Sequence, residues 1–187
     1  MISLILALEG KSKYLEKVLE ETKEIRSELI VVTIYDLVEE DINILKNHPC
    51  KLMKLDKVPI EYLINEGIKE AKEPWVLVLT DNEFLDSLAL DELKNIQIPE
   101  DTDAYAFRRK NFLKASNGNI LLFFNFPDPR VRLFKNYCRF DPDIYSITGW
   151  SKCRYFPRGH IIHDRLHQKL DLFFRPDLGV LKLLEFR

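Results

Sequence analysis

At 187 residues, with 46% hydrophobic, 31% charged and 11% aromatic side chains, the chain suits one domain that needs no covalent staples. Three cysteines (Cys50, Cys138, Cys153), odd in number and far apart, exclude a disulfide scaffold and read as reduced thiols in a cytosolic protein. The apolar runs are too short to span a bilayer, and Met1–Leu8 has no basic region before it, so it reads as a strand rather than a signal peptide.

The net charge of −2 hides a division. Residues 1–100 hold 12 basic and 21 acidic side chains, whereas residues 101–187 hold 16 and 9. Ten of the eleven arginines fall in the second part. Such a surface suits phosphate, or the two parts complement each other. Few glutamines beside much Lys, Glu and Ile point to a thermophilic source.

In chain order, Ile2–Leu8 is an apolar run of strand length. Ser12 is placed to cap a helix with the stripe Leu15, Val18, Leu19, Thr22 and Ile25. Leu29–Ile34 is β-branched and predicts a strand. Leu37–Leu45 predicts a short helix with Val38, Ile42 and Leu45 on one side, and Lys51–Leu55 a short strand. Pro59 suits the first turn of a helix that buries Ile60, Leu63, Ile64, Gly67, Ile68 and Ala71. Trp75–Leu79 is continuously apolar, as for a strand covered on both faces. Four strands separated by helices imply right-handed crossovers and a mainly parallel sheet.

A helix near Ser87–Ile96 follows, and then the pattern changes. Ala104–Phe112 and Asn119–Phe126 read as strands joined through Ser116-Asn117-Gly118, a hairpin signal. Val131–Phe134 is another short strand, and Cys153–Ile162 is extended and irregular. The tail is expected to be helical over Leu166–Phe173 and packed on the sheet.

In a parallel sheet the ligand crevice lies beyond the carboxyl ends of the strands. That singles out Leu8-Glu9-Gly10, Thr33–Asp36 and Thr80-Asp81-Asn82-Glu83. Carboxylates in the last turn can hold a divalent cation with a diphosphate, unless the turn only caps the next helix. His160, His163 and His167 lack a partner that would complete a zinc site, so His163 alone is the more plausible participant near the crevice. Cations alternate with aromatics in Arg108–Phe112, Arg130–Lys135 and Arg154–Arg158, but no RNA-binding signature accompanies them. No Walker A loop, Gly-x-Gly-x-x-Gly or Gly-x-Ser-x-Gly is present.

Several segments, in order, resemble glycosyltransferase family 2 of the GT-A type, and most of all its lipopolysaccharide-core glucosyltransferase-like subgroup. Ile2–Glu9 is similar to the family's first strand. Ile60–Ala71, with Asn65-Glu-Gly67, is similar to the helix carrying Arg-Asn-x-Gly. Pro74–Glu83 is similar to the strand ending Leu-Asp-Ala-Asp-Glu, and Ala104–Phe112 to an Arg-x-Asn strand. Pro127-Asp-Pro-Arg-Val-Arg-Leu-Phe134 matches a Pro-Asp-x-x-x-Arg-Leu-Phe segment, and Ile161-Ile-His163 a late histidine strand. The resemblance implies a three-layer GT-A fold of α/β class with a mainly parallel central sheet and a β-rich C-terminal part. It implies one domain over 1–187, with a nucleotide-binding half 1–100, an acceptor-side half 101–165 and a tail 166–187. It also implies transfer of a sugar from a nucleotide-diphospho-sugar to the hydroxyl of a glycan or lipid-linked acceptor, in glycan or cell-envelope synthesis.

The departures from the family pattern shape the site expectations. Thr80 and Asn82 stand where the family has two metal-binding aspartates, and Thr33 where it has the nucleoside-holding Asp. The late His-Glu pair falls at Tyr145-Ser146. Donor binding is therefore expected from Glu9, Asp36, Asn65, Asp81, Arg108, Arg130 and Arg132, with Arg130 and Arg132 both facing away from the core. Asp143 or Asp164 is expected to be the catalytic base, with Asp141 a further substitute. Asp81, Glu83 and His163 are the residues left for Mn²⁺ or Mg²⁺, whose role is expected to be weak or absent. The rival readings are a catalytically silent GT-A domain that binds a nucleotide sugar or a protein, and an RNA-binding module. No nucleic acid and no transmembrane segment are expected, and the location is cytoplasmic or peripheral at the membrane face.

Overall fold

The computed structural model describes the chain except residues 56–57, 115–119, 124–129, 142–145, 166–169, 176–179 and 186–187. The first part runs β1 (Ile2–Leu8), α1 (Leu15–Thr22), β2 (Glu28–Thr33), α2 (Glu39–Lys46), β3 (Lys51–Lys54), α3 (Ile60–Glu70), β4 (Trp75–Thr80), β5 (Glu83–Leu85) and α4 (Ser87–Asn95). In the second part the regular elements among the described residues are strands: β6 (Ala104–Lys114), β7 (Ile120–Phe123), β8 (Arg130–Lys135), β9 (Arg139–Asp141), β10 (Ser146–Thr148), β11 (Cys153–Arg165), β12 (Leu170–Arg175) and β13 (Val180–Glu185).

One nine-stranded sheet spans both parts, in the order β3-β2-β1-β4-β8-β6-β11-β5, with β7 paired to β6. β3, β2, β1 and β4 are mutually parallel. β8 joins β4 antiparallel, and β6 follows antiparallel to β8. β4 thus lies inside the sheet, as its unbroken apolar run predicts.

The core has two layers because side chains alternate across the strands. Leu4, Leu6 and Leu8 of β1 face one layer with Leu15 and Leu19 of α1 and Ala89 and Leu93 of α4. Ile5 and Ala7 face the other, with Leu63, Ile64 and Ile68 of α3. Each buried Leu or Ile contributes about 1.5–3 kcal/mol against exposure. Gly67 of α3 allows close approach, since a Cβ there would lie 3.1 Å from Val32 and 3.3 Å from Ile5.

Four local expectations change. Ser12 does not cap α1: its N-cap residue is Tyr14, without a side-chain cap bond. Pro59 is the N-cap residue of α3 rather than its first helical one. The α2 stripe is rotated: Asp41 and Leu45 are buried, while Val38 and Ile42 remain 42% and 41% exposed. The reason is polar, because the Tyr35 hydroxyl donates to Asp41 Oδ2 at 2.7 Å and holds that face inward. In the tail, Leu170–Arg175 is a strand paired antiparallel with β13, not part of a helix. Its run Leu172-Phe173-Phe174 pairs with Leu181-Lys182-Leu183 of β13, and an apolar run this short does not by itself distinguish a strand from a helix.

β11 changes register against β6 between Tyr155 and His160. Gly159 sits in that irregularity at φ +82°, where a Cβ would lie 2.1 Å from the Ala89 amide nitrogen. Asp86 caps α4 there: its Oδ1 accepts from Ala89 N and His160 N, each at 3.0 Å. The cap of α4 therefore lies outside Thr80–Glu83. Among the described residues no helix is long and apolar enough to cross a membrane.

Candidate functional site

The carboxyl ends of β1, β2 and β4 lie side by side, since these strands are adjacent and parallel. The loop from β1 to α1 is stitched onto the turn after β4. Ser12 Oγ donates to the Asp81 carbonyl at 2.6 Å and accepts from Tyr14 N at 3.2 Å. The Asp81 carboxylate is raised above its usual range by desolvation, with Glu83 adding to the rise. Backbone N–H groups of Glu9, Gly10 and Asn82 oppose that rise by bonding to the ionised form. Glu9 is raised too, first by desolvation and then by the charges of Asp81 and Glu61. Two reluctant carboxylates therefore share the carboxyl ends of these strands, which form the rim of the expected crevice.

Glu83 turns the other way. Its side chain is 1% exposed and receives a guanidinium fork, Arg132 Nε at 3.1 Å and Arg132 Nη2 at 3.0 Å. Thr80 N donates to it at 3.2 Å, and Arg109 Nη1 stands 3.6 Å away. Burial alone pushes its pKa up, but the charge and hydrogen bonds of Arg132, followed by His163 and Arg109, bring it down to about 2.

A bulge explains how Arg132 reaches Glu83. Tyr105 pairs with Leu133 and Ala106 with Val131, so Arg132 is the extra residue on β8. Simple alternation would put Val131 and Leu133 on one face. Instead Val131 packs with the α3 layer and Leu133 with the α1 layer. The expectation that Arg130 and Arg132 share one outward face is corrected accordingly.

On β11, His163 lies opposite Glu83 in the strand register. Its Nδ1 is 2.9 Å from Asn111 Oδ1. Asp164 N donates to the Asn82 carbonyl at 2.9 Å. The Asp164 side chain is 4% exposed and is bonded by the Tyr14 hydroxyl and by Lys13 Nζ, the latter at 2.5 Å. His160 bonds Asp86 at 3.1 Å, away from His163. His167 lies outside the described residues.

The remaining expected residues scatter. Asp36 is exposed and ion-paired with Lys54 at 2.5 Å. Thr33 is fully buried, its Oγ1 bonded to the Tyr35 backbone. Asn65 uses both ends of its amide on the Phe140 backbone, at 2.8 and 2.7 Å, and so ties α3 to β9 rather than offering a free amide to a donor. Arg108 is exposed and Arg130 half-buried. Asp143 lies outside the described residues. The structure brings Glu9 and Asp81 together, with Asp164 on the same turn through the Asn82 carbonyl, while His163 lies with Glu83 and Asn111; it adds Lys13 and Tyr14 beside Asp164, and Tyr35 with Asp41 beside Asp81. Of these, Tyr35 lies inside the singled-out Thr33–Asp36 segment, and Lys13 and Tyr14 follow Glu9-Gly10 within one short loop, whereas Asp41 carried no sequence signal.

These side chains do not fit a divalent cation. Such an ion needs several unengaged oxygens. Both Glu83 oxygens face arginines, Asp81 is held by backbone N–H groups, and Thr80 and Asn82 carry no charge. Among the described residues no group of three or more His, Cys, Asp or Glu side chains is arranged to hold one. The expectation of Asp81, Glu83 and His163 as a ligand set is corrected on that ground.

No family model and no curated protein matches the sequence. Solved structures do. S. aureus TarS is 13% identical over 87% of this chain and 36% of its own, with a TM-score of 0.56. TarS 1–349 in complex with UDP-GlcNAc gives 13% identity over 88% of this chain and 58% of its own, with a TM-score of 0.58. GalNAc-T7 with UDP, GalNAc and Mn²⁺ gives 10% identity over 89% of this chain and 44% of its own, with a TM-score of 0.57. This chain thus spans between about a third and three-fifths of the chains it matches. The likeness shows the fold: a mixed α/β domain of the GT-A glycosyltransferase type.

Proposed function

We propose that this chain is a glycosyltransferase domain that binds a nucleotide-diphospho-sugar in the crevice over β1, β2 and β4. The supporting observation is the rim there, where Glu9 and Asp81, with raised pKa values, meet the loop clamped by Ser12. Perturbed carboxylates in the crevice of an α/β sheet mark a functional site more often than a structural one. The neighbours solved with UDP and UDP-GlcNAc have the same fold, which favours this donor class.

In the reaction an acceptor hydroxyl oxygen attacks the anomeric carbon of the sugar. The bond from that carbon to the diphosphate oxygen breaks, and the electron pair leaves on the nucleoside diphosphate. The hydroxyl proton passes to a carboxylate, for which Asp143 is our candidate. A glycan or lipid-linked acceptor and the lipopolysaccharide-core-like subgroup complete the reading, resting on the Pro127–Phe134 motif. The described cysteines are unpaired, which suits a reducing, cytoplasmic setting.

A second reading is a silent GT-A domain that binds a nucleotide sugar without turnover. It is favoured by Thr80 and Asn82, neutral where a cation-holding pair is expected. Calorimetry with UDP, GDP, dTDP and their sugars, followed by turnover assays with Mn²⁺ or EDTA, separates the readings. Binding with transfer supports the enzyme, and binding without transfer supports the silent domain. No binding of any nucleotide overturns both.

A further inference from the structure

We infer that Lys13 is the cation that meets the donor diphosphate, and that Asp164 is its counter-ion rather than the catalytic base. This rests on the glycosyl-transfer reading above. A departing diphosphate gains negative charge, and a positive group fixed in advance must meet it. The site side chains do not fit a divalent cation, so the chain itself has to supply that charge. Arg132 cannot, because its fork is engaged on Glu83 and its Nη1 on the Val131 carbonyl at 3.5 Å. Arg109 is 11% exposed and faces the same carboxylate.

Lys13 is placed differently. Its side chain is 39% exposed, and its ammonium lies 2.5 Å from Asp164 Oδ2. Asp164 is tied through its own N–H to the Asn82 carbonyl, so the ammonium stands beside the turn after β4. The loop is clamped on both sides of Lys13. Ser12 bonds Asp81 before it, and the Tyr14 ring packs on Phe84 at 4.7 Å after it. An ammonium has three N–H donors, of which the Asp164 carboxylate takes one and the Tyr14 hydroxyl another. A phosphate oxygen arriving from the solvent side can take the third without rearranging the loop. Asp164 is a poor base by the same geometry. It is 4% exposed, and Lys13 and Tyr14 both donate to its Oδ2. A base needs an open lone pair within reach of the acceptor hydroxyl.

The test uses the full chain, with UDP, GDP, dTDP and the matching nucleosides as calorimetric probes. For the diphosphate that binds wild type best, Lys13→Met is expected to weaken binding at least tenfold. Affinity for the nucleoside alone should stay within twofold, and EDTA should change neither. Asp164→Asn is expected to tighten diphosphate binding a few-fold, because it removes the anion that competes for Lys13. A merely structural Asp164 would not produce that gain. Lys13→Met combined with Asp164→Asn removes both charges together, so no buried carboxylate is left unpaired, and it should bind as weakly as Lys13→Met. Unchanged diphosphate affinity in either variant lacking Lys13 overturns the inference and leaves the transferase reading standing. So does an Asp164→Asn protein that loses turnover while its affinity is unaltered, since that is the behaviour of a base. A wild type that binds none of the diphosphates overturns both.

Discussion

Asp81 and Glu83 stand two residues apart in the turn after β4, and their surroundings drive their acidities in opposite directions. Asp81, at the rim, is desolvated without a cation to compensate, and its pKa rises. Glu83, one layer below, is more deeply buried yet lies between two arginines, and its pKa falls to about 2. Burial alone therefore does not decide which carboxylate is poised for chemistry. The presence of a fixed cation does. The lower layer holds β5, β8 and β11 together, and the rim holds the loop clamped by Ser12.

The largest expected effect breaks the lower layer. Glu83→Gln leaves Arg132 and Arg109 without their anion, and losing one partner of a buried pair costs about 3–5 kcal/mol. For a chain of this size that lowers Tm by roughly 6–20 °C. Chemical denaturation followed by circular dichroism reads it directly. A loss below ~1 kcal/mol would mean that Glu83 belongs with the rim.

The pH response sharpens the same contrast. The folded pKa of Glu83 is depressed, so its contribution is complete above its ordinary value of 4.5 and is lost as the pH falls toward about 2. Asp103 acts in the same sense: bonds from Ser151, Tyr137 and Lys152 hold it well below the usual carboxylate range. Glu9 and Asp81 act oppositely. The folded state holds their protons more tightly than the unfolded chain, so acidification from neutrality first adds stability through them. Thermal melts from pH 8 downward should pass through a mildly acidic maximum before falling. In a Glu9→Gln, Asp81→Asn double variant that maximum should flatten, and a curve identical to wild type would remove the rim from the argument.

Arg132→Lys probes the fork alone. Charge is kept, but two parallel N–H bonds become one point contact, which costs roughly 1–2 kcal/mol. The sequence reading made Arg132 a diphosphate ligand, and it would have put this loss into nucleotide affinity. The geometry puts it into stability, with affinity changed less than twofold. Calorimetry and denaturation on the same preparation distinguish the two.

Much of the fold was legible because it rests on periodicity. Trp75–Leu79 could only be a strand covered on both faces, and Ile60–Ala71 carried a full helical stripe. The failures came where a polar contact or a bulge overrides periodicity. Asp41 is buried because Tyr35 waits for it, which no hydrophobic count can reveal. Arg132 points at Glu83 because one extra residue on β8 shifts the alternation. The adjacency of β1, β2 and β4, on which the crevice expectation rests, was legible because it follows from the strand–helix alternation. Side-chain roles within the crevice were not legible, since they depend on which cation lies across the sheet from which carboxylate. Glu83 and Asp81 look equivalent in a list of residues, and only the pairing of β4 with β8 and of β5 with β11 tells them apart.

The smallest stability effect carries the most functional weight. Asp81→Asn keeps an oxygen that accepts from the backbone N–H groups of Glu9, Gly10 and Asn82, so the loop stays stitched. It removes a charge that the folded site disfavours. At neutral pH the folded state should therefore be unchanged or more stable, within about 1 kcal/mol of wild type. The cost should fall on the ligand instead. If the proposed sugar diphosphate binds there, losing the rim charge alters its field, and turnover should drop at least tenfold while Tm holds. This dissociation of stability from function is what a rim carboxylate predicts and a structural one does not. If Asp81→Asn melts as early as Glu83→Gln, the turn is one structural network, and the distinction between its two carboxylates is lost.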